Sequence, residues 1–112
     1  MSQNHFILAH DLGTTGNKAT LFDTAGAIVA STFADYQTAY PQPNWAEQNP
    51  ADWQSAVFGS TQRLLAGSAT PPEQIAVVSF SGHMQGALAV GKNGIPLRPA
   101  IIWADQRATA QA

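Results

Sequence analysis

Short apolar runs separated by turn residues make up the first third of the chain. Phe6-Ile7-Leu8-Ala9-His10 is continuous in its apolar character and predicts a strand buried on both faces. Lys18 to Asp23 and Ala27 to Phe33 predict two more strands, with Thr24-Ala25-Gly26 as the turn between them. Two tight connections in succession require an antiparallel meander, because a parallel crossover takes on the order of a dozen residues. Tyr36 through Pro50 is a loop rich in proline, asparagine and glutamine, carrying the aromatics Tyr40 and Trp45.

Asn49-Pro50 then predicts an N-cap followed by proline at the first helical position, with Asp52 in a favourable first turn. The helix is expected to run to about Ala66, placing Val57, Phe58, Thr61, Leu64 and Leu65 on one apolar face, with Gly67-Ser68 as its stop. Ile75 to Phe80 predicts a fourth strand, central in its sheet by its continuous apolar run. Gln85 to Val90 reads as a fifth, turned by Gly91-Lys92-Asn93-Gly94, and Pro99 to Trp103 as a short last strand. Asp105 would then cap a helix opening at Gln106-Arg107-Ala108. Two turns of alanine-rich helix are unstable alone, so the chain reads as cut off at Ala112.

Composition narrows the function classes. A chain of 112 residues is one domain at most, able to bury roughly two-thirds of its unfolded surface. Hydrophobic content of 45% against 11% charged residues excludes the disordered class. The net charge of −2 leaves no electrostatic footprint for nucleic acid, and the scattered Lys18, Arg63, Lys92, Arg98 and Arg107 form no membrane-binding patch. The absence of cysteine excludes disulfides and thiolate metal sites. His5, His10 and His83 lack zinc-binding spacing. Met1-Ser2-Gln3-Asn4-His5 lacks the basic region and apolar core of a signal peptide, and no apolar stretch is long enough to span a bilayer. A soluble cytoplasmic protein is the expectation.

Candidate chemistry concentrates behind the first strand, in Asp11-Leu12-Gly13-Thr14-Thr15. A strand delivers a carboxylate to its own end, and the chain then turns through a glycine and two hydroxylated residues. Such a turn suits a polyphosphate carrying magnesium: Gly13 admits close approach, successive N–H groups form an anion-binding concavity, and Asp11 can hold the metal through its water shell. The alternative is an ordinary hairpin turn, since Asp-x-Gly is common turn chemistry.

Three antiparallel strands, a helix and a further strand make the opening of an α/β, ribonuclease H-like fold of the actin-like ATPase superfamily, with a mixed sheet whose first three strands are antiparallel. Four motifs in order carry a closer resemblance: Asp11-x-Gly13-Thr14-Thr15; Tyr40-Pro41-x-Pro43-x-Trp45-x-Glu47-x-x-Pro50-x-x-Trp53; Ser81-Gly82-His83-Met84-Gln85-Gly86; and Arg98-Pro99-Ala100-Ile101-Ile102-Trp103-x-Asp105-x-Arg107. From about Ile7 to Ala110 the sequence resembles the N-terminal part of the FGGY carbohydrate kinases, and within them the xylulokinase-like branch.

The resemblance implies ATP-dependent phosphorylation of a sugar or polyol hydroxyl. Asp11 would face magnesium, and Gly13, Thr14, Thr15 and Lys18 would line the phosphate path of ATP. Lys18 stands where many members have arginine; the alternative for it is a solvated strand residue. His83, Met84, Gln85, Asp105 and Arg107 would meet the sugar. The xylulokinase-like turn usually reads Gly-Gln-Met-His-Gly, whereas here the imidazole and amide have changed places. His83 could instead be a structural histidine, Met84 a core residue and Asp105 a helix cap. Trp45 and Trp53 are expected to pack the helix onto the sheet, Glu47 to anchor the loop through backbone N–H groups, and His10 to be a packed strand residue. The family's catalytic base and second domain would lie beyond Ala112, making residues 1–112 a truncated first domain, inactive alone. Two other classes fit the same residues: a non-catalytic sugar- or nucleotide-binding module, and an incomplete gene product that forms a homo-oligomer through its truncation surface.

Overall fold

The computed structural model describes residues 5–112; the opening residues 1–4, read above as lacking a signal sequence, lie outside that range. Strands β1 (Phe6–Leu12), β2 (Gly16–Asp23) and β3 (Ile28–Asp35) form the expected antiparallel meander. Helix α1 (Pro50–Gly67) carries the chain back so that β5 (Ile75–Ser81) pairs parallel to β1, giving the sheet order β3-β2-β1-β5. This mixed sheet is the ribonuclease H-like arrangement. Between them, β4 (Glu47–Gln48) leaves the meander to pair antiparallel with β6 (Ala100–Ile101) in a separate ribbon.

Local chemistry explains the meander's turns. At the β2–β3 hairpin, the Asp23 carboxylate accepts from Ala25 N at 3.0 Å and Ala27 N at 2.9 Å, and Gly26 takes φ +88°. Asn49 caps α1 by accepting from Ala51 N at 3.0 Å, with Pro50 at the first helical position. The helix ends one residue later than expected. Gly67 stays helical, Ser68 caps it, and Ala69 takes the left-handed conformation at φ +53°.

One face of the sheet packs on α1 through Leu8, Ala19, Leu21 and Leu64, with Phe6, Ala30 and Ile75 around them. The buried face of the helix is Ala56, Ser60 and Leu64, while Phe58 points to solvent. The apolar periodicity placed Phe58 in the core. It loses that place because Ser60 is needed there by a polar partner, Asn17.

Strand β5, expected to be central, pairs on one side only among the described residues. Its Val77, Val78 and Phe80 are more than half exposed. The radius of gyration, 16.9 Å, exceeds the roughly 13 Å of a compact domain this long. The expected fifth strand, Gln85 to Val90, forms only the bridges Ala87–Ile101 and Val90–Pro96. The last strand shrinks to β6, and the expected terminal helix is a run of turns from Arg107 to Gln111.

A side-chain clasp fixes the β4–β6 ribbon. The Asp105 carboxylate accepts from Ala46 N at 2.7 Å and from Arg107 N at 2.9 Å. Arg107 bonds Asp105 through Nε and Nη2, reaches Glu47 at 2.8 Å, and lies 3.7 Å from the Trp45 ring centroid. Arg98 also pairs with Glu47. Glu47 therefore anchors the loop through two guanidinium groups rather than backbone N–H groups. Trp45 supports Arg107 and does not pack helix onto sheet. Asp105 closes its own turn but starts no helix.

Two outcomes follow for stability. A Cβ on Gly16 would lie 2.5 Å from both Ala34 O and Phe33 Cζ, so Gly16→Ala should cost about 2–3 kcal/mol, read from urea midpoints. The Arg107 hydrogen bond, with the N–H groups of Ala46 and Arg107, holds the Asp105 carboxyl well below its ordinary value of 3.8. A depressed folded-state pKa gives stability that is present above the ordinary value and lost as pH falls below it. Wild-type protein should lose stability more steeply below about pH 4 than Asp105→Asn does; parallel urea profiles between the two would contradict the clasp's role.

Candidate functional site

The β1–β2 connection is the three residues Gly13, Thr14 and Thr15, closed by Gly13 N donating to Gly16 O at 2.9 Å. Its carbonyls are held from the protein side. Tyr36 Oη donates to Gly13 O, Gln48 Nε2 to Thr14 O at 2.7 Å, and Tyr36 N to Thr15 O at 3.2 Å. The Trp103 indole donates to Thr14 Oγ1 at 2.9 Å. A trans peptide points its N–H opposite to its C=O, and no cis peptide occurs among the described residues. Tethering Gly13 O therefore aims Thr14 N–H away from the Tyr36 hydroxyl, and tethering Thr14 O aims Thr15 N–H away from the buried Gln48 amide. Neither N–H has an acceptor among the described residues. Burial, with the nearby Asp11 charge adding, pushes the Tyr36 hydroxyl up to about 12, so it remains a donor throughout the physiological range.

Asp11 stands exposed at the end of β1, opposite Lys18 in the β1–β2 ladder and Ser81 in the β1–β5 ladder. All three line a concavity of about 420 Å³. The ion pairs among the described residues all involve Glu47 or Asp105, so Asp11 and Lys18 keep their charges available.

Behind the loop lies a buried polar cluster. Asn17, fully buried, donates from Nδ2 to His10 Nδ1 at 3.0 Å and to Ser60 Oγ at 2.9 Å. His10 Nε2 then faces Thr61 Oγ1 at 3.3 Å, and both helix hydroxyls donate onward to Val57 O. That chain assigns the proton to Nε2 of a neutral imidazole. Burial holds the His10 pKa below its ordinary value, and Phe80 stacks on the ring at 5.0 Å. His10 is a packed strand residue, as its sequence position indicated.

Adjoining the loop is a cavity of about 350 Å³, walled by Leu12, Trp53, His83, Gln85 and Ala100 to Ile102. Leu12 immediately precedes Gly13, so cavity and loop adjoin. The His83 ring lies 5.4 Å from Trp53 and 6.5 Å from Tyr36, and both its nitrogens are shielded without a hydrogen-bond partner among the described residues. Both ring nitrogens are therefore desolvated and unpaired, a costly state for polar groups. Gln85 adopts φ +61° and lines the same cavity as His83, although both come from one turn.

The sequence-derived candidates thus divide. Gly13, Thr14, Thr15, Asp11 and Lys18 gather at one end of the sheet, while His83 and Gln85 share the cavity. Met84, 79% exposed, does not line it, nor do Asp105 and Arg107, whose charged groups are engaged in the clasp. Trp53 was expected to join helix to sheet; its indole instead donates to Gln48 Oε1 at 2.9 Å and its ring walls the cavity. Tyr36, Gln48, Ser81 and the Trp103 indole were not singled out as site residues. Ser81 and Trp103 were quoted within the motifs and Gln48 filled an unspecified position of one, but only the folded chain shows what Gln48 and Trp103 hold.

Comparison with known proteins agrees with this fold. The chain is 37% identical to a glycerol kinase of Trichormus variabilis over 95% of its own length. It is 36% identical to a gluconokinase of Bacillus subtilis over 96%. The crystal structure of a "xyloylose kinase" from Brucella ovis superposes with a TM-score of 0.92 at 35% identity, covering 96% of this chain. The chain spans only about a fifth of each: 21%, 20% and 23% of their lengths. Residues 6–112 match the FGGY family of carbohydrate kinases, N-terminal domain. With the meander, the tethered loop and the adjoining cavity in place, the chain belongs to that family.

Proposed function

We propose that residues 1–112 supply the phosphate loop and one wall of the substrate cavity of a kinase that moves the γ-phosphoryl group of ATP to a sugar or polyol hydroxyl. The observation that carries this reading is the loop itself. Its carbonyls are tied to the protein, its next N–H groups point away from those ties without acceptors, and it opens beside a cavity holding an unpartnered imidazole.

The residues fit a magnesium nucleotide. No cluster of three metal-ligating side chains occurs among the described residues. Magnesium, however, usually takes one or two carboxylates, keeps several waters and shares the substrate's phosphates. Asp11 would hold it in that manner, and the ion would neutralise charge on the transferring group. Thr14 N–H, Thr15 N–H and Lys18 would bind phosphate oxygens. Lysine serves as a point charge here and lacks the bidentate fork of arginine.

In the cavity, His83 and Gln85 supply polar side chains and Trp53 an apolar face, a combination suited to a polyhydroxylated ligand once the His83 nitrogens are uncovered. Transfer to a hydroxyl also needs a carboxylate to accept the proton. None lines the cavity among the described residues, so that base would come from outside this chain. A non-catalytic binding module is the reading favoured if ligands bind here and full-length protein shows no turnover.

The 112-residue chain should therefore show no ATP consumption above blank across a panel of ketoses and polyols; clear turnover would defeat the proposed division of labour. By calorimetry, Asp11→Asn should weaken magnesium tripolyphosphate binding about tenfold, equivalent to roughly 1.4 kcal/mol. An unchanged affinity would remove Asp11 from the metal position.

A further inference from the structure

We infer that Gln48 is a positioning residue that couples the sugar cavity to the phosphate loop; the inference rests on the functional reading above. Its side chain is fully buried and every polar atom is used. Nε2 donates to Thr14 O at 2.7 Å and to Thr38 Oγ1 at 2.9 Å, while Oε1 accepts from the Trp53 indole at 2.9 Å. One amide plane thus joins the loop's peptide to the aromatic wall of the cavity. The backbone of Gln48 pairs with Ala100 in the β4–β6 ribbon, and Ala100 also lines the cavity.

The geometry gives the coupling a path. Thr14 C=O and Thr15 N–H belong to one rigid peptide unit. A donor that fixes Thr14 O therefore fixes the aim of Thr15 N–H at a bound phosphate. A ligand seated against His83 and Trp53 restrains the indole, the indole restrains the Gln48 amide through Oε1, and the same amide restrains Thr14 O through Nε2. Phosphate bound at the loop restrains Trp53 by the reverse route, because coupling between two sites is reciprocal. The Asp105–Arg107 clasp bears on this path from behind. It holds Ala46 and Glu47, the residues directly preceding Gln48.

Amide and indole NMR on the 112-residue chain tests this. Gln48→Glu keeps an acceptor for the Trp53 indole and removes the donor to Thr14; Gln48→Met removes both. Without ligand, the Thr15 amide order parameter should fall in both variants from about 0.85, the rigid range, to about 0.6. Thr38→Val removes only the second acceptor of Nε2 and should leave Thr15 rigid, which general loosening of the fold would not do. Magnesium tripolyphosphate, added as probe, should shift the Trp53 indole signal in wild type and not in Gln48→Met.

A rigid Thr15 in both folded Gln48 variants would overturn the inference. So would a wild-type Trp53 indole that stays still while the Trp103 indole, bonded directly to Thr14, responds to the probe. If both indoles ignore the probe yet Thr15 loosens in the variants, the positioning role of Gln48 stands and the phosphate reading of the loop falls.

Discussion

The structure depends on a constraint smaller than any of its elements: a planar trans peptide cannot aim its carbonyl inward without aiming its N–H outward. Between β1 and β2 the protein uses this in succession. The Tyr36 hydroxyl takes Gly13 O, the Gln48 amide takes Thr14 O, and the Tyr36 backbone N–H takes Thr15 O. An unsupported three-residue bend would sample many orientations. Held in this way, the bend has fixed dipoles, and on the proposed reading it would offer them to an anion without reorganising them, the basis of preorganised electrostatic stabilisation.

Much of the remaining architecture serves to hold the holders. Tyr36 follows directly on β3, so the meander's register sets where its hydroxyl reaches. Gln48 lies in β4, and β4 is kept in place by β6 and by the ion pairs of Glu47 with Arg98 and Arg107. Beneath the loop, the His10–Asn17–Ser60–Thr61 cluster ties the ends of β1 and β2 to α1 with hydrogen bonds rather than apolar contact alone. A buried polar cluster of this kind fixes geometry more sharply than interchangeable hydrocarbon, because each misplaced partner leaves a desolvated group unpaired. The cavity is bounded by the same parts. Leu12 leads into the loop, Trp53 hangs from Gln48, and Ile101 belongs to the ribbon.

What could be read from the sequence was whatever the chain decides locally. The meander followed from apolar runs and tight turns, the start of α1 from Asn49-Pro50, and the short β1–β2 loop from Gly13, Thr14 and Thr15 standing together behind a strand. Periodicity failed where burial is polar. It chose Phe58 for the core because it scores hydrophobicity, whereas the helix turns Ser60 inward to meet Asn17, 43 positions away. A continuous apolar run marked β5 as needing cover on both sides, and among the described residues that cover is only partly present, with Val77, Val78 and Phe80 more than half exposed. Asp105 read as a cap because Asp-x-Arg is local, yet its carboxylate also reaches back 59 positions to Ala46. Gln48 carried no signal beyond its place in a motif, since its three partners converge only after folding.

The central claim is tested most directly by a crystal of the chain soaked with magnesium and a non-hydrolysable ATP analogue. The account predicts terminal phosphate oxygens within hydrogen-bond reach of the Thr14 and Thr15 amides, with the metal's water shell against Asp11. An empty bend in a crystal that holds the nucleotide elsewhere, or those two amides turned inward onto protein acceptors, would contradict it.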